Sequence, residues 1–313
     1  MVQLIRQLAD KYKSSKLLWV LKLAATAAVV YLVNKSISHC HMTDILERVS
    51  VLPIILALVL AVIGFYMQAV RWRVILRRMD IHISNADAVW TMLWGSLLAF
   101  VTPGRSGELL RGIMLPAVRK RDTVYAVVIE KCFAGAVALM LGLICAWFAV
   151  LRSGHGTGMQ WIVIVCCIVL LLGYAAAVVA VYVVPRLKAA QRILRLFNWQ
   201  SLAGIGVYSV LIHIILLTES ALLLTMFGSA DVWANVCAVG QAYTFMIFFP
   251  FFIANMGIRE YSFGLFLGYL VPAFTAGRAV AFGASMGILV LNIILPAAIG
   301  LAGWLFQKTT QKQ

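Results

Sequence analysis

Long uninterrupted apolar segments constrain the fold of this 313-residue chain more than any other feature. A helix needs roughly 20 apolar residues to cross the hydrocarbon core of a bilayer. Because the apolar runs are continuous and lack the alternation of barrel strands, they predict spanning helices. Six segments reach or approach the required length, at residues 17–33, 51–70, 124–151, 161–184, 202–226 and 279–306.

Composition agrees with a membrane protein. Hydrophobic residues make up 63% of the chain and charged residues only 12%, whereas a soluble domain carries about 25% charged residues. The sequence therefore predicts an all-α integral membrane protein with about six full transmembrane helices.

Two further apolar stretches are too short or too interrupted to be simple spans. The stretch 88–101 has 14 residues, which cover about 21 Å as a helix, less than the roughly 30 Å hydrocarbon core. The other stretch, 232–253, is broken near Pro250. Because such segments are typical of broken helices, we predict re-entrant hairpins near 88–116 and 232–275. Two complete crossings by the second stretch are the alternative.

The order of these elements repeats along the chain. Residues 17–152 and 161–306 each contain helix, helix, broken stretch and helix. Each half has three full crossings, an odd number, so the second half is predicted to be inverted, with the hairpins entering from opposite sides. Inverted repeats whose broken helices meet near the midplane are a recurrent transporter design. A coincidence of helix count is the alternative.

Lysine and arginine determine the predicted orientation, because cytoplasmic loops carry an excess of them. If both broken stretches return to the side they enter from, 17 basic residues face one side, and Lys35, Arg48 and Arg152 face the other. We therefore predict cytoplasmic termini, 1–16 and 307–313, in a plasma (bacterial inner) membrane. The net charge of +15 is then explained by topology and by anionic lipids at the cytoplasmic face. Without a soluble basic domain, we expect no nucleic-acid partner.

Charged residues inside apolar segments are candidates for function, because each costs at least about 2.5–3.5 kcal/mol at the bilayer centre. Thr102-Pro103 is typical of a helix start, and Arg105, Glu108 and Arg111 follow roughly on one face. Two guanidinium groups with a carboxylate between them could hold a phosphate bidentately. An internal salt-bridge cluster that fixes the hairpin is the alternative, and both could hold together.

Other charged residues lie near these segments. Glu130 and Lys131 could pair with the arginines or line the same cavity. Arg259 and Glu260 follow a second cap-like segment, 255–257, Asn-Met-Gly. The roles of His213 and Glu219, six residues apart in one apolar segment, are left open between a proton relay and a structural role.

Three motifs carry a resemblance to a known family. The segment 103–111, PGRSGELLR, resembles the signature of the flippase-like membrane domain of lysylphosphatidylglycerol synthases, which include the bacterial multiple-peptide-resistance factors. The segment 257–260, GIRE, resembles its second signature, and Glu130-Lys131 resembles a Glu-Arg pair of the family. The resemblance covers roughly residues 15–306.

The resemblance implies movement of lipids, such as aminoacylated phosphatidylglycerol, from the inner to the outer leaflet. It implies headgroup contacts by Arg105, Glu108, Arg111, Glu130, Lys131, Arg259 and Glu260. The chain departs from the family at 254–256, Ala-Asn-Met, where glycines are usual. It also ends at Gln313 without the soluble transferase domain, so we expect no lysylphosphatidylglycerol synthesis by that route.

The predicted function is therefore a lipid flippase or transporter that works by alternating access on a phospholipid or lipid-linked anionic headgroup. We expect no catalytic residue, cofactor or metal, and leave a homo-oligomer open. One alternative is a membrane-embedded lipid-modifying enzyme with Glu108 or Glu130 as general base. The other is a non-transporting subunit of an envelope lipid or polysaccharide pathway.

Overall fold

The part of the chain described by the computed structural model is entirely helical. Nine α-helices, one 3-10 helix and one π-helical segment lie in it, and no strand. This confirms the prediction of an all-α protein for the described part. Apart from Tyr31, the first predicted span and its N-terminal flank lie outside this part. The described residues are 31, 51–102, 105–115, 120–153, 158–183, 191, 196–229, 231–249, 252, 255–271 and 277–310.

The helices are numbered here in chain order. Their bounds are α1 (Val51–Arg78), α2 (Asn85–Val101), the 3-10 helix (Ser106–Met114), α3 (Lys120–Ser153), α4 (Gly158–Val183), α5 (Trp199–Met226), α6 (Val232–Ile247), α7 (Ile258–Leu270), α8 (Gly277–Leu289), the π-helical segment (Val290–Ile294) and α9 (Leu295–Thr310).

Five continuous helical stretches are long and apolar enough to cross a membrane, the last of them running through α8, the π-helical segment and α9. They coincide with five of the six predicted spans. Their outward faces carry large apolar side chains, such as Ile162 and Val169 on α4, whereas charged groups such as Arg71 and Glu130 are buried. This arrangement is the reverse of a soluble protein. The chain is therefore a multi-pass membrane protein. The candidate spans are Val51–Arg78, Arg121–Arg152, Gly158–Ala180, Trp199–Met226 and Ala279–Gly303.

Helices α1 and α5 pack against each other and run antiparallel. Their register is fixed by a hydrogen bond from Arg71 Nη1 to Ser209 Oγ of 3.0 Å, and by close packing of Gly64 against Ile215. A large apolar core that includes Phe263 joins α3, α5, α6, α7 and α8. The first short helix pair, α2 with the 3-10 helix, packs against α1, α3 and α9, and the second, α6 with α7, packs against α3, α5 and α8.

The first helix pair turns tightly at Thr102. Its hydroxyl donates to Leu98 O at 2.8 Å and accepts from the backbone N–H of Gly107 at 2.6 Å. The second helix begins at Ser106 and not at Thr102, and it is a 3-10 helix with Arg105 at its N-cap. The prediction of a helix start at Thr102-Pro103 is therefore wrong by a few residues, because the Thr102 hydroxyl links the two helices of the pair.

Gly107 allows this close approach. A methyl group at Gly107 would overlap the backbone carbonyl of Leu98, which cannot move away as a side chain could. We expect Gly107→Ala to destabilise the protein by at least about 2 kcal/mol, as measured by thermal unfolding in detergent. Gly206 on α5 is the matched control, since nothing lies within 4 Å of the added methyl. Gly206→Ala is expected to stabilise its helix by up to about 1 kcal/mol, and equal losses for the two variants would contradict the packing.

The second helix pair is joined by a turn with two left-handed residues. Asn255 has φ of 57° and Gly257 has φ of 82°, and the Glu260 carboxylate accepts from the backbone N–H of Gly257. The two pairs share one small apolar cluster, because Phe100 of α2 and Met256 of this turn both pack against Leu289 and Ile293.

Candidate functional site

Arg71 and Glu130 form a buried ion pair at the centre of the bundle. Arg71 Nη2 lies 2.7 Å from Glu130 Oε1, and the two residues are 3% and 2% exposed. Arg71 also donates to Ser209 Oγ on α5, so one guanidinium joins α1, α3 and α5. Removing either partner of a pair this deeply buried would leave the other as an uncompensated buried charge, which is strongly destabilising.

Arg111 of the 3-10 helix reaches the same carboxylate. Its Nη2 lies 2.8 Å from Glu130 Oε2 and 3.8 Å from Glu108 Oε2. Its guanidinium carbon lies 4.5 Å from the centre of the Trp72 ring, within the range of a cation–π contact. The 3-10 helix is therefore held against α1 and α3 by one fully buried arginine.

Glu108 marks the accessible edge of this group. Arg105 Nε lies 2.6 Å from Glu108 Oε1, and Lys131 Nζ contacts Glu108 Oε2. The side chains of Arg105 and Lys131 are 35% and 49% exposed, whereas that of Glu108 is 9% exposed. Burial alone would raise the pKa of Glu108, but Arg105, Lys131 and Arg111 outweigh it and hold the pKa below its usual value.

We call these residues the cationic cluster. Its four cations and two carboxylates leave a formal charge of +2. The Nε groups of Arg71 and Arg111 are buried and have no hydrogen-bond partner within the described residues. Two buried donors and excess positive charge suit an anion with several oxygen acceptors. The cluster consists of Arg71, Arg105, Glu108, Arg111, Glu130 and Lys131.

Sequence reasoning places five of these six residues together as candidates but misses Arg71. It assigns Arg71 to the cytoplasmic arginines, because the apolar run ends at Val70. In the structure the helix continues to Arg78, and Arg71 is buried together with Ile75, one turn later. Residues four apart lie on the same face of a helix, so the spacing between Arg71 and Ile75 is the sequence signal that could have identified Arg71 as buried.

The second helix pair carries a separate, compensated group. Arg259 Nε donates to Ser285 Oγ at 2.6 Å, and Arg259 Nη2 lies 3.1 Å from Glu260 Oε1. Ser285 Oγ donates to the same Glu260 oxygen at 2.6 Å. All three residues are buried. The charge of Arg259 is therefore balanced by its neighbour, and Ser285 is a partner that the sequence did not indicate.

No hydrogen bond or ion pair within the described residues joins Arg259 to the cationic cluster. The hydroxyl of Tyr243 on α6 lies within electrostatic range of both Arg105 and Arg259. That hydroxyl is hydrogen-bonded to Ser220 of α5 at 3.0 Å.

His213 and possible metal ligands are the remaining candidates for site chemistry. His213 Nδ1 lies 2.8 Å from the backbone carbonyl oxygen of Ser209, and its ring is within electrostatic range of Arg71 and Lys131. Among the described residues, no three His, Cys, Asp or Glu side chains lie close enough to share a metal ion.

Comparison with known families gives a clear result. Residues 19–300 match the lysylphosphatidylglycerol synthase TM region, so the chain belongs to this family and is a membrane protein of a lipid-related class. The matched range includes every residue of the cationic cluster and the Arg259 group. No curated protein matches the chain.

Proposed function

We propose that the protein is a lipid flippase, which moves a phospholipid or lipid-linked anionic headgroup between the leaflets of the membrane. The observation that carries the proposal is the net positive cluster inside the bundle. Its buried members, Arg71 and Arg111 with Glu108 and Glu130, balance in charge, so the excess positive charge lies on the partly exposed Arg105 and Lys131. A ligand phosphate would compensate that excess charge through charge-assisted hydrogen bonds. The proposed headgroup contacts are Arg105, Glu108, Arg111, Glu130, Lys131, Arg259 and Glu260.

Headgroup and cluster are complementary in geometry as well as charge. Guanidinium groups bind phosphate oxygens through paired N–H donors, and Arg105 and Lys131 are the members that a headgroup can reach first, because their side chains are partly exposed. Arg105 and Lys131 then leave Glu108 and bind the incoming phosphate. Alternatively, Glu108 contacts the amino group of a cationic headgroup.

The helix pairs are proposed to be re-entrant hairpins of two inverted repeats, 17–152 and 161–306. Matching contacts support this symmetry: α2 packs on the 3-10 helix as α6 packs on α7, and α3 packs on α6 as α9 packs on α2. Packing of Phe100 and Met256 against the same two side chains supports a meeting of the hairpin tips. Alternating exposure of the tips would then carry the headgroup across.

We also propose that both termini are cytoplasmic and that anionic lipids bind at that face. A cavity of about 300 Å³ at the end of α1 is lined by Arg73, Arg77, His82 and Ile83. Arg73 is fixed there by Ile83 O at 3.0 Å and Asn85 Oδ1 at 2.7 Å. Two arginines and a histidine around one concavity favour an anionic headgroup at the interface.

Transport in proteoliposomes tests the proposal. Fluorescently labelled phosphatidylglycerol and its lysyl ester are placed in both leaflets, and a membrane-impermeant quencher is added outside. With wild-type protein we expect a second, slower phase of quenching as inner-leaflet lipid reaches the outer leaflet. Protein-free liposomes should show only the first phase. The same result in both preparations, for both lipids, would contradict the proposed function.

A further inference from the structure

Glu219 is a buried acid that the cationic cluster does not use. It lies within α5, is 1% exposed and forms no ion pair within the described residues. Its described hydrogen bond comes from the side-chain amide of Asn292, with Nδ2 2.7 Å from Glu219 Oε1. Ionisable side chains inside membrane segments are costly and typically mark ion pathways or proton relays.

The position of Glu219 mirrors that of Arg71. Helices α1 and α5 both have 28 residues, and each of these side chains lies twenty residues after the first. Arg71 is neutralised by Glu130 at 2.7 Å, whereas the side-chain partner of Glu219 among the described residues is the uncharged Asn292. Within the described part of the chain, the matching site in the second half therefore holds a carboxyl group without a counter-ion.

Among the described residues, the neighbouring helix α6 brings a titratable group close to Glu219. The Tyr243 hydroxyl of α6 lies within electrostatic range of Glu219, and beyond it lie Arg105 and Arg259. The π-helical segment contributes Asn292. A tyrosine hydroxyl is neutral at physiological pH, so it does not replace a cation beside the carboxylate.

Helices α1 and α3 bring no charge to that level. Since Arg71 lies opposite Ser209, the antiparallel register places Ala61 of α1 opposite Glu219. Ser209 is ten residues from Glu219, or about 15 Å along the helix. On α3, Glu130 and Lys131 belong to the cationic cluster, which lies near Ser209 and not near Glu219.

We infer that Glu219 is a proton-binding site that couples lipid movement to a proton gradient. The inference rests on the proposed transport function. An unpaired carboxylate is costly in this environment and is relieved by taking up one proton, which gives a neutral carboxylic acid. Release of that proton to the other side of the membrane restores the carboxylate and completes the cycle.

The path from Glu219 to the hairpin tips is short. Asn292 lies in the π-helical segment Val290–Ile294, and such segments are frequent at functional sites. The next residue, Ile293, packs with Leu289 against both Phe100 and Met256. A hydrogen bond to a carboxylate is roughly twice as strong as one to a neutral group. Protonation therefore loosens Asn292 and, through Ile293, the packing of both tips.

Glu219→Gln tests the coupling, because glutamine has the shape of the protonated acid and cannot release a proton. Proteoliposomes carry a pH difference of one unit, and the leaflet distribution of labelled phosphatidylglycerol is measured at steady state. Wild-type protein is expected to hold an asymmetry of up to about tenfold, for one proton moved with each lipid. Glu219→Gln should equilibrate the leaflets whether or not the gradient is present. Asp80→Asn, an exposed carboxylate with φ of 59°, is the control and should behave as wild type.

Infrared spectroscopy of the carboxyl group tests proton binding by Glu219 independently of lipid transport. Wild-type protein and Asp80→Asn should show a protonated-carboxyl band that shifts in D₂O and is missing in Glu219→Gln. Asn292→Ala should shift the band, since it removes the donor while retaining the acid. If wild-type protein transports no lipid, the proposed transport function is wrong, and the proposed coupling is wrong with it. The infrared band would then show only that Glu219 binds a proton. Three results would overturn the inference. Wild type could transport lipid without asymmetry, Glu219→Gln could retain the asymmetry, or the band could be the same in wild type and Glu219→Gln.

Discussion

Replacing Arg111 with alanine is expected to destabilise the protein by about 3–5 kcal/mol, since it removes one partner of a buried ion pair. Arg111 is 1% exposed and lies 2.8 Å from Glu130 Oε2. The substitution also removes the cation–π contact with Trp72, which lies 4.5 Å from the guanidinium carbon and contributes about 2 kcal/mol when desolvated. Chemical unfolding in mixed detergent–lipid micelles would measure the loss.

Arg121→Ala is the matched control for this experiment. Arg121 is exposed and also lies over an aromatic ring, Tyr125, at 5.5 Å. Its removal is expected to change the free energy of unfolding by no more than about 0.5 kcal/mol. Equal stabilities for Arg111→Ala and Arg121→Ala would contradict the buried position of Arg111 and its role in holding the 3-10 helix.

Replacing Arg105 with glycine is expected to slow lipid transport strongly while leaving the protein folded. Arg105 has φ of 56°, a left-handed conformation that costs a non-glycine residue about 1–2 kcal/mol. Glycine adopts it freely, which offsets the loss of the 2.6 Å ion pair with Glu108, and Glu108 keeps Lys131 as a partner. A charge-assisted hydrogen bond to the headgroup contributes about 1.5–3 kcal/mol, so transport should fall by about 10- to 100-fold.

Asp80→Gly provides the control for backbone strain. Asp80 is exposed and has φ of 59°, so glycine relieves the same strain outside the cationic cluster. This variant should be as stable as wild type or more stable, with normal transport in the liposome assay. Wild-type transport by Arg105→Gly would remove Arg105 from the headgroup site, and unfolding of that variant would assign it a structural role instead.

Membrane class, helix positions and family follow from the sequence because they depend on long-range composition and on a few specific motifs. Five long helices coincide with predicted spans, and the family match extends over residues 19–300. Local geometry does not follow so directly. The helix predicted at Thr102 begins at Ser106, since the Thr102 hydroxyl accepts from the Gly107 N–H, a contact that depends on how the two helices pack.

The candidate site was predicted in part. Glu130 and Lys131 are adjacent in sequence, and adjacent helical residues point about 100° apart. Glu130 therefore contacts Arg71 and Arg111 in the interior, while Lys131, which is about half-exposed, reaches Glu108. Ser285 was not predicted, because a single serine in an apolar helix gives no pattern that distinguishes it from other small residues.

A structure of the protein in lipid nanodiscs that contain phosphatidylglycerol tests the central claim most directly. The account predicts lipid density between the two helix pairs, with its phosphate within hydrogen-bond distance of Arg105 and close to the Tyr243 hydroxyl. Density confined to the outer surface of the bundle, with the cationic cluster closed on itself by its own ion pairs, would contradict it.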